Sequence, residues 1–148
     1  MTKECDLEKL LVRHPYLIAE EFFGRQVLRQ LVYGKHRLDL AFELPQGLCI
    51  VELKKTHLTA NDVRQLLRYC HAWSRSRRHT LTKYHYLIGK RPHDESGLLE
   101  AAARSRFEIR FLYLDEHIPT RLAWDAAARR YFPYDPSQYS PDYLTLTF

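Results

Sequence analysis

The stretch from Leu48 to Lys54 constrains the fold of this chain more than any other. It reads Leu-Cys-Ile-Val-Glu-Leu-Lys, a nearly continuous apolar run that ends with two charged side chains. A run of this kind is typical of a central strand that is buried on both faces. We therefore expect a sheet with helices on both sides, supplied by the chain before and after this strand.

Apolar stripes at helical spacing and alternating segments elsewhere predict an α/β (α+β) chain with the order α-β-β-β-α-β-α-β. The predicted elements are helices at 6–14, at 59 to 76 or 78, and at 96–105, short helical turns at 16–23, and strands at 26–33, 37–43, 48–54, 84–88 and 109–114. This order indicates a mixed central sheet flanked by helices. We expect one domain over residues 1–148 with its core at about 6–115. A partly helical segment at 118–130 and an aromatic, proline-rich extension at 131–148, ending in a short strand, complete it.

The composition is that of an ordinary globular protein, with 45% hydrophobic and 28% charged residues. No apolar run is long enough to span a bilayer and the acidic N-terminus is not a signal peptide, so we expect a cytoplasmic protein. The three cysteines lack metal-binding spacing and are expected to be free thiols. The histidines show no zinc motif, and without a glycine-rich phosphate loop no nucleotide cofactor is indicated. A net charge of +5 and a pI near 9.2 are compatible with a polyanionic partner.

Three charged residues near the central strand point to a specific chemistry. Glu52 and Lys54 lie two positions apart on one strand, so their side chains leave the same face. Asp39 lies on the preceding strand, where alternation predicts that Leu38 and Leu40 face the other way. A hairpin that brings Asp39 beside Glu52 would place two carboxylates next to an amine. Because two carboxylates repel each other without a cation and Mg²⁺ prefers oxygen ligands, this set suits metal-assisted hydrolysis of a phosphodiester bond.

The pattern Asp39…Glu52-Leu53-Lys54 resembles the motif of the PD-(D/E)XK nuclease superfamily, with Leu38 where proline often stands. The closest resemblance is to the catalytic domain of NucS/EndoMS-type endonucleases, and it covers about residues 6 to 73. Four segments carry it: Asp6-Leu-Glu-Lys-Leu-Leu…His14-Pro15, Gly34…Arg37-Leu-Asp39-Leu, Val51-Glu-Leu-Lys54 and Gln65-Leu-Leu-Arg-Tyr69. The resemblance implies a restriction-endonuclease-like αβββαβ core and a DNA endonuclease that uses Mg²⁺ or Mn²⁺.

The resemblance also implies a role for each residue that matches the motif. Asp39, Glu52 and the backbone carbonyl of Leu53 would be metal ligands, and Lys54 would be the catalytic lysine. Gln65 and Tyr69 match a glutamine and a tyrosine that support such a site or contact the scissile strand, and their spacing places both on one helix face. Glu8 matches a first-helix acidic residue that completes the metal shell, with Glu20 and Glu21 as competing candidates for that position.

A basic stripe follows the predicted second helix at helical spacing. Its members are Arg64, Arg68, His71, Arg75 and Arg78. Together with Arg37 beside the motif aspartate, the arginines of this stripe are candidates for contacts to DNA phosphates. The alternative is an exposed polar face of an amphipathic helix.

Less specific interpretations of the same residues stay open at this stage. Asp39 can pair with Arg37, Glu52 and Lys54 can form a surface ladder, and Glu8 can be solvated. The aromatic tail can pack on the core, form an interface or stack on bases. A DNA endonuclease acting as a homodimer is the favoured function, and RNA is not excluded as its substrate. The alternatives are a catalytically inactive nucleic-acid-binding module on the same fold and a partner-docking subunit of a DNA-processing complex.

Overall fold

The computed structural model describes residues 4–33, 36–76, 80–114, 116–118, 121–133 and 143–147. The helices of this part of the chain are α1 (Glu4–Arg13), α2 (Ala60–Ser76) and α3 (Glu95–Ala103), with 3-10 turns at Pro15–Leu17 and Glu20–Phe22. The strands are β1 (Val27–Tyr33), β2 (His36–Leu44), β3 (Gly47–His57), β4 (Tyr84–Lys90), β5 (Glu108–Tyr113), β6 (Arg121–Asp125), β7 (Arg130–Pro133) and β8 (Tyr143–Thr147). The predicted order α-β-β-β-α-β-α-β is confirmed.

The central sheet has the strand order β1-β2-β3-β4-β5. The first three strands form an antiparallel meander, and β4 and β5 continue the sheet parallel to β3. This mixed sheet with flanking helices is the predicted fold class. The apolar run that dominates the sequence is β3, which lies in the middle of the sheet and is buried from Leu48 to Leu53.

Each face of the sheet carries its own hydrophobic cluster. The first cluster packs under α1 and the 3-10 turns, with Leu11, Phe22 and Val51 among its fully buried members. The second packs under α2 and α3, with Leu66 and Leu98 fully buried. The sheet is therefore the middle of three layers, as a strand buried on both faces requires.

The alternation predicted for β2 holds for only part of the strand. Leu40 and Phe42 belong to the cluster under α1, as one face of a strand requires. Leu38, two positions earlier, belongs instead to the cluster under α2. The expectation that Leu38 and Leu40 share a face is therefore wrong, and the change of face falls at Asp39.

The segment predicted to be partly helical forms a hairpin instead. Its residues make β6 and β7, which with β8 build a separate three-stranded sheet in the order β7-β6-β8. The Asp125 side chain accepts hydrogen bonds from the backbone N–H groups of Ala127 and Ala128, and Arg129 has φ 55°. An aspartate turn thus overrides the helical propensity of the alanines.

The small sheet packs its aromatic residues against the segment after α1. Trp124 and Tyr131 have ring centroids 4.9 Å apart, and Tyr131 lies 4.6 Å from His14. The first residue of the aromatic tail, Tyr131, thus packs on the core. Tyr134, Tyr139 and the side chains at 143–148 lie outside the described residues. Within the described ranges, no helix is long and apolar enough to cross a membrane.

Candidate active site

The site begins where two neighbouring strands stop pairing through their backbones. The backbone pairing of β2 with β3 runs from Leu44 and Gly47 to Leu40 and Val51. One position further, side chains bridge the strands. The backbone N–H of Asp39 donates to Glu52 Oε1 at 3.0 Å, and the N–H of Leu53 donates to Asp39 Oδ2 at 3.0 Å. The hairpin therefore places the two carboxylates side by side.

These carboxylates open into one cavity of about 420 Å³. The residues that line it are Glu8, Gln30, Arg37, Asp39, Glu52, Lys54, Gln65 and Tyr69. They come from α1, β1, β2, β3 and α2, so the two helix layers and the sheet meet there. Apart from Leu53, whose backbone N–H contacts Asp39, all the residues predicted for the catalytic and metal site lie on this cavity. Arg37 also lies there.

The cavity holds its carboxylates in an environment that disfavours negative charge. Glu52 is 5% exposed. Burial and the negative charge of Asp39 raise the pKa of Glu52 to about 8 from its ordinary value of 4.5. Burial also raises the pKa of Asp39, against the opposing effect of the hydrogen bond from Leu53. Two adjacent groups that resist simultaneous ionisation are the arrangement that a bound cation relieves.

An irregularity in β3 directs Lys54 toward α2. Leu53 pairs with Ile88 and His57 with Lys90, so three residues of β3 lie opposite the single residue Gly89. Such a bulge re-aims side chains, and bulges are common beside active sites. Gly89 is required by this close approach, since a Cβ there would lie 2.5 Å from Leu58 Cδ2 and 3.1 Å from the carbonyl oxygen of Thr56.

A chain of hydrogen bonds fixes the Lys54 ammonium against α2. Lys54 Nζ donates to Gln65 Oε1 at 3.3 Å, and Gln65 Nε2 donates to the Tyr69 hydroxyl at 2.8 Å. Gln65 and Tyr69 are one turn apart on the helix, so both reach the same cavity. The spacing of these two residues in the sequence thus corresponds to a physical connection with the lysine.

The third carboxylate of the cavity is Glu8, on α1, which is 9% exposed. Glu8 Oε1 accepts a hydrogen bond from Gln30 Nε2 at 2.9 Å and lies 3.5 Å from Arg29 Nε. Neither partner can be recognised from the sequence, because a polar residue within a predicted strand carries no signal of its own.

The two competing acidic residues, Glu20 and Glu21, lie elsewhere. Glu20 pairs with Arg130, and Glu21 accepts a hydrogen bond from the Tyr84 hydroxyl at 2.7 Å. Neither lines the cavity.

The predicted phosphate-contacting arginines divide into two groups. Arg37 lines the cavity and donates through Nε to Gln30 Oε1. Arg64, Arg68 and Arg75 are exposed on α2. Because Arg64 and Arg68 directly precede Gln65 and Tyr69, they lie about 100° around the helix from the cavity face. Arg78 lies outside the described residues.

His71 departs from this stripe, since it is half-buried against Phe107 with ring centroids 5.3 Å apart.

The donor set suits a hard divalent cation, because it consists of carboxylates around one cavity and two of them have raised pKa values. As they stand, no three His, Cys, Asp or Glu side chains in the described part of the chain form a group that could hold an ion.

Comparison with solved structures finds two nucleases with this arrangement of strands and helices. A repair endonuclease from Pyrococcus abyssi superimposes with a TM-score of 0.61 at 17% identity, over 76% of this chain and 48% of the other. An EndoMS protein in complex with double-stranded DNA superimposes with a TM-score of 0.61 at 19% identity, over 75% of this chain and 44% of the other. This chain has a nuclease fold. It spans about half the length of either neighbour.

The resemblance to NucS/EndoMS-type endonucleases that the motif indicates is thus found independently in the fold. No protein-family model matches the chain. No curated protein matches it either.

Proposed function

We propose that this chain is a Mg²⁺-dependent endonuclease that hydrolyses phosphodiester bonds in DNA, with Mn²⁺ able to replace Mg²⁺. The observation that carries the proposal is the pair of adjacent carboxylates, the half-buried Asp39 and the buried Glu52, in one cavity with Lys54. The nuclease fold and the neighbour that was solved with double-stranded DNA support it.

In this proposal the cavity residues divide the work of an in-line displacement by water. Asp39, Glu52 and the Leu53 carbonyl would hold the divalent ion, and Glu8 would complete its ligands. When bound, the ion supplies Lewis acidity toward a phosphate oxygen and toward the attacking water. Lys54 orients that water or offsets charge that develops on the phosphate.

Gln65 and Tyr69 act through the lysine rather than on the substrate. Without its contact to Gln65, the flexible Lys54 side chain would sample many rotamers, and ordering it would cost entropy in each turnover. Tyr69 fixes the amide of Gln65 in the orientation that presents its oxygen to the ammonium.

A cleavage assay with matched variants tests the proposal. Supercoiled plasmid, linear duplex, single-stranded, mismatched and branched DNA are incubated with the purified chain in Mg²⁺, Mn²⁺ or EDTA. We expect metal-dependent cleavage that Asp39→Asn and Lys54→Ala abolish. The matched control Lys55→Ala removes the adjacent, exposed lysine and should cleave normally. DNA binding without cleavage in any metal would identify an inactive binding module and overturn the proposal.

As part of the same proposal, the exposed arginines of α2 contact DNA phosphates. Each phosphate contact releases counterions, so replacing Arg64 and Arg68 together by alanine should lower the slope of log K against log salt by about 2. Arg104→Ala, which removes an exposed arginine after α3, should leave that slope unchanged. An unchanged slope in the double variant would assign these arginines to a solvated helix face.

Cutting both strands of a duplex with one site per chain calls for two copies, so we propose a homodimer on DNA. Sedimentation of the chain with and without a short duplex tests this, and one copy bound per duplex at saturation would contradict it.

A further inference from the structure

The backbone of β1 is strained at one residue that faces the active-site cavity. Gln30 has φ 52°, a left-handed conformation that residues with a Cβ rarely adopt. The residue pairs on either side, Arg29 with Leu40 and Leu31 with Leu38, keep one register. The irregularity is therefore confined to Gln30 and to Asp39, which lies opposite it on β2.

The strain coincides with a reversal of both strands. In β1, Val27 packs on the cluster under α1 and Leu31, of the same parity, on the cluster under α2. In β2, Leu40 and Leu38 divide between the same two clusters. The two strands thus change face together, at the level where Asp39 turns its side chain toward β3.

The side chain of Gln30 connects two functional groups of the cavity. Its Nε2 donates to Glu8 Oε1 at 2.9 Å, and its Oε1 accepts from Arg37 Nε. A side-chain amide offers a donor to a carboxylate and an acceptor to a guanidinium at the same time. Backbone strain that persists in a folded protein is held by its surroundings, and it concentrates at functional sites.

We propose that Gln30 is a positioning residue, whose left-handed backbone and side-chain amide hold the Glu8 carboxylate in place for the divalent ion and Arg37 in place for a DNA phosphate. The inference deepens the proposed function and rests on it, since Glu8 is assigned there as a metal ligand. Gln30 acts through these two residues and does not itself contact the ion or the substrate. Groups that orient metal ligands typically change metal affinity by about 10-fold to 100-fold when removed.

The test measures Mn²⁺ binding by calorimetry on the purified chain, without DNA. Gln30→Met keeps the length of the side chain but removes both hydrogen bonds. We expect the Kd for Mn²⁺ to rise about 10-fold or more. Gln26→Met, which changes an exposed glutamine just before β1, is the matched control and should bind as the unaltered chain does.

A second variant separates positioning from a purely structural role. Gln30→Gly relieves the strain at φ 52°, so its melting temperature should be no lower than that of the unaltered chain. It lacks the amide, so its Mn²⁺ affinity should fall as far as in Gln30→Met. A structural role alone would change the melting temperature and leave the Mn²⁺ affinity unaltered.

The route through Glu8 is tested by a double-mutant cycle. In a Glu8→Gln background, Gln30→Met should cause little further loss of affinity, because the carboxylate that it orients is gone. A full additional loss there, or unaltered Mn²⁺ affinity in both single Gln30 variants, overturns the inference. Asp39→Asn tests the metal site itself. If it abolishes Mn²⁺ binding while the Gln30 variants bind normally, the proposed function stands and only this inference fails.

Discussion

The two ends of the β2–β3 hairpin are built on opposite principles. From Leu40 to Leu44 the strand pairs regularly with β3, and its apolar side chains are buried. At Asp39 the backbone pairing ends and side chains of like charge bridge the gap. The first end buries area without cost to charged groups, whereas the second holds a buried and a half-buried carboxyl group, both with raised pKa values. Stability thus comes from one end of the hairpin, whereas the other end places two carboxyl groups where ionising both is unfavourable.

The largest expected effect lies at the apolar end. Phe42 is fully buried and stacks on Phe22 with ring centroids 4.6 Å apart. Phe42→Ala leaves a cavity and should lower the free energy of unfolding by about 3–5 kcal/mol, measured by urea denaturation. Glu43→Ala changes the exposed neighbour and should alter it by no more than about 0.5 kcal/mol. Similar values for the two variants would break the comparison.

At the carboxylate end, a substitution should raise the free energy of unfolding rather than lower it. The pKa of Glu52 is about 8 in the folded chain against an ordinary 4.5, so the folded state binds the proton more tightly. The stability that this proton contributes is complete below pH 4.5 and is lost as the pH rises through 8. In EDTA at pH 9, the free energy of unfolding of Glu52→Gln should therefore exceed that of the unaltered chain by on the order of 2 kcal/mol.

The same pair of proteins at pH 5 serves as the control for that measurement. There the carboxyl is protonated when folded, so the difference between variant and unaltered chain should be small. If the glutamine variant and the unaltered chain lose the same amount of stability between pH 5 and pH 9, Glu52 is not the titrating group.

The smallest effect is expected where opposite charges pair in water. Arg104 and Glu100 form an ion pair at 2.8 Å with side chains 76% and 69% exposed. Glu100→Ala should change the free energy of unfolding by less than about 0.5 kcal/mol, and less still in high salt. If the free energy of unfolding falls by more than about 1 kcal/mol, exposed charges matter as much as buried ones, and burial does not explain the behaviour of the carboxylate end.

The elements that the sequence predicts well are those with a strong apolar pattern. The run before Glu52 predicts a central strand, and the stripe from Val63 to Trp73 predicts α2, because burial on two faces or on one leaves a distinct periodicity. The meeting of Asp39 with Glu52 follows from the hairpin, whose register the alternating residues largely determine.

The parts that escape prediction depend on local backbone geometry. Gln30 looks like any polar strand residue, and its left-handed backbone depends on partners that only the folded chain supplies. The reversal that moves Leu38 to the other face follows from that conformation. The turn at Asp125 competes with a helix of similar local propensity, and its side-chain hydrogen bonds to Ala127 and Ala128 favour the hairpin.

All the described side chains that line the cavity come from one stretch of the chain, Glu8 to Tyr69. Of the side chains that the structure describes in β6 and β7, none lines the cavity, although Tyr131 packs against the segment after α1. Exchanging the C-terminal hairpin for another of equal length would thus leave every group of the cavity in place. In this sense the cavity and the small sheet are separate parts of the described fold.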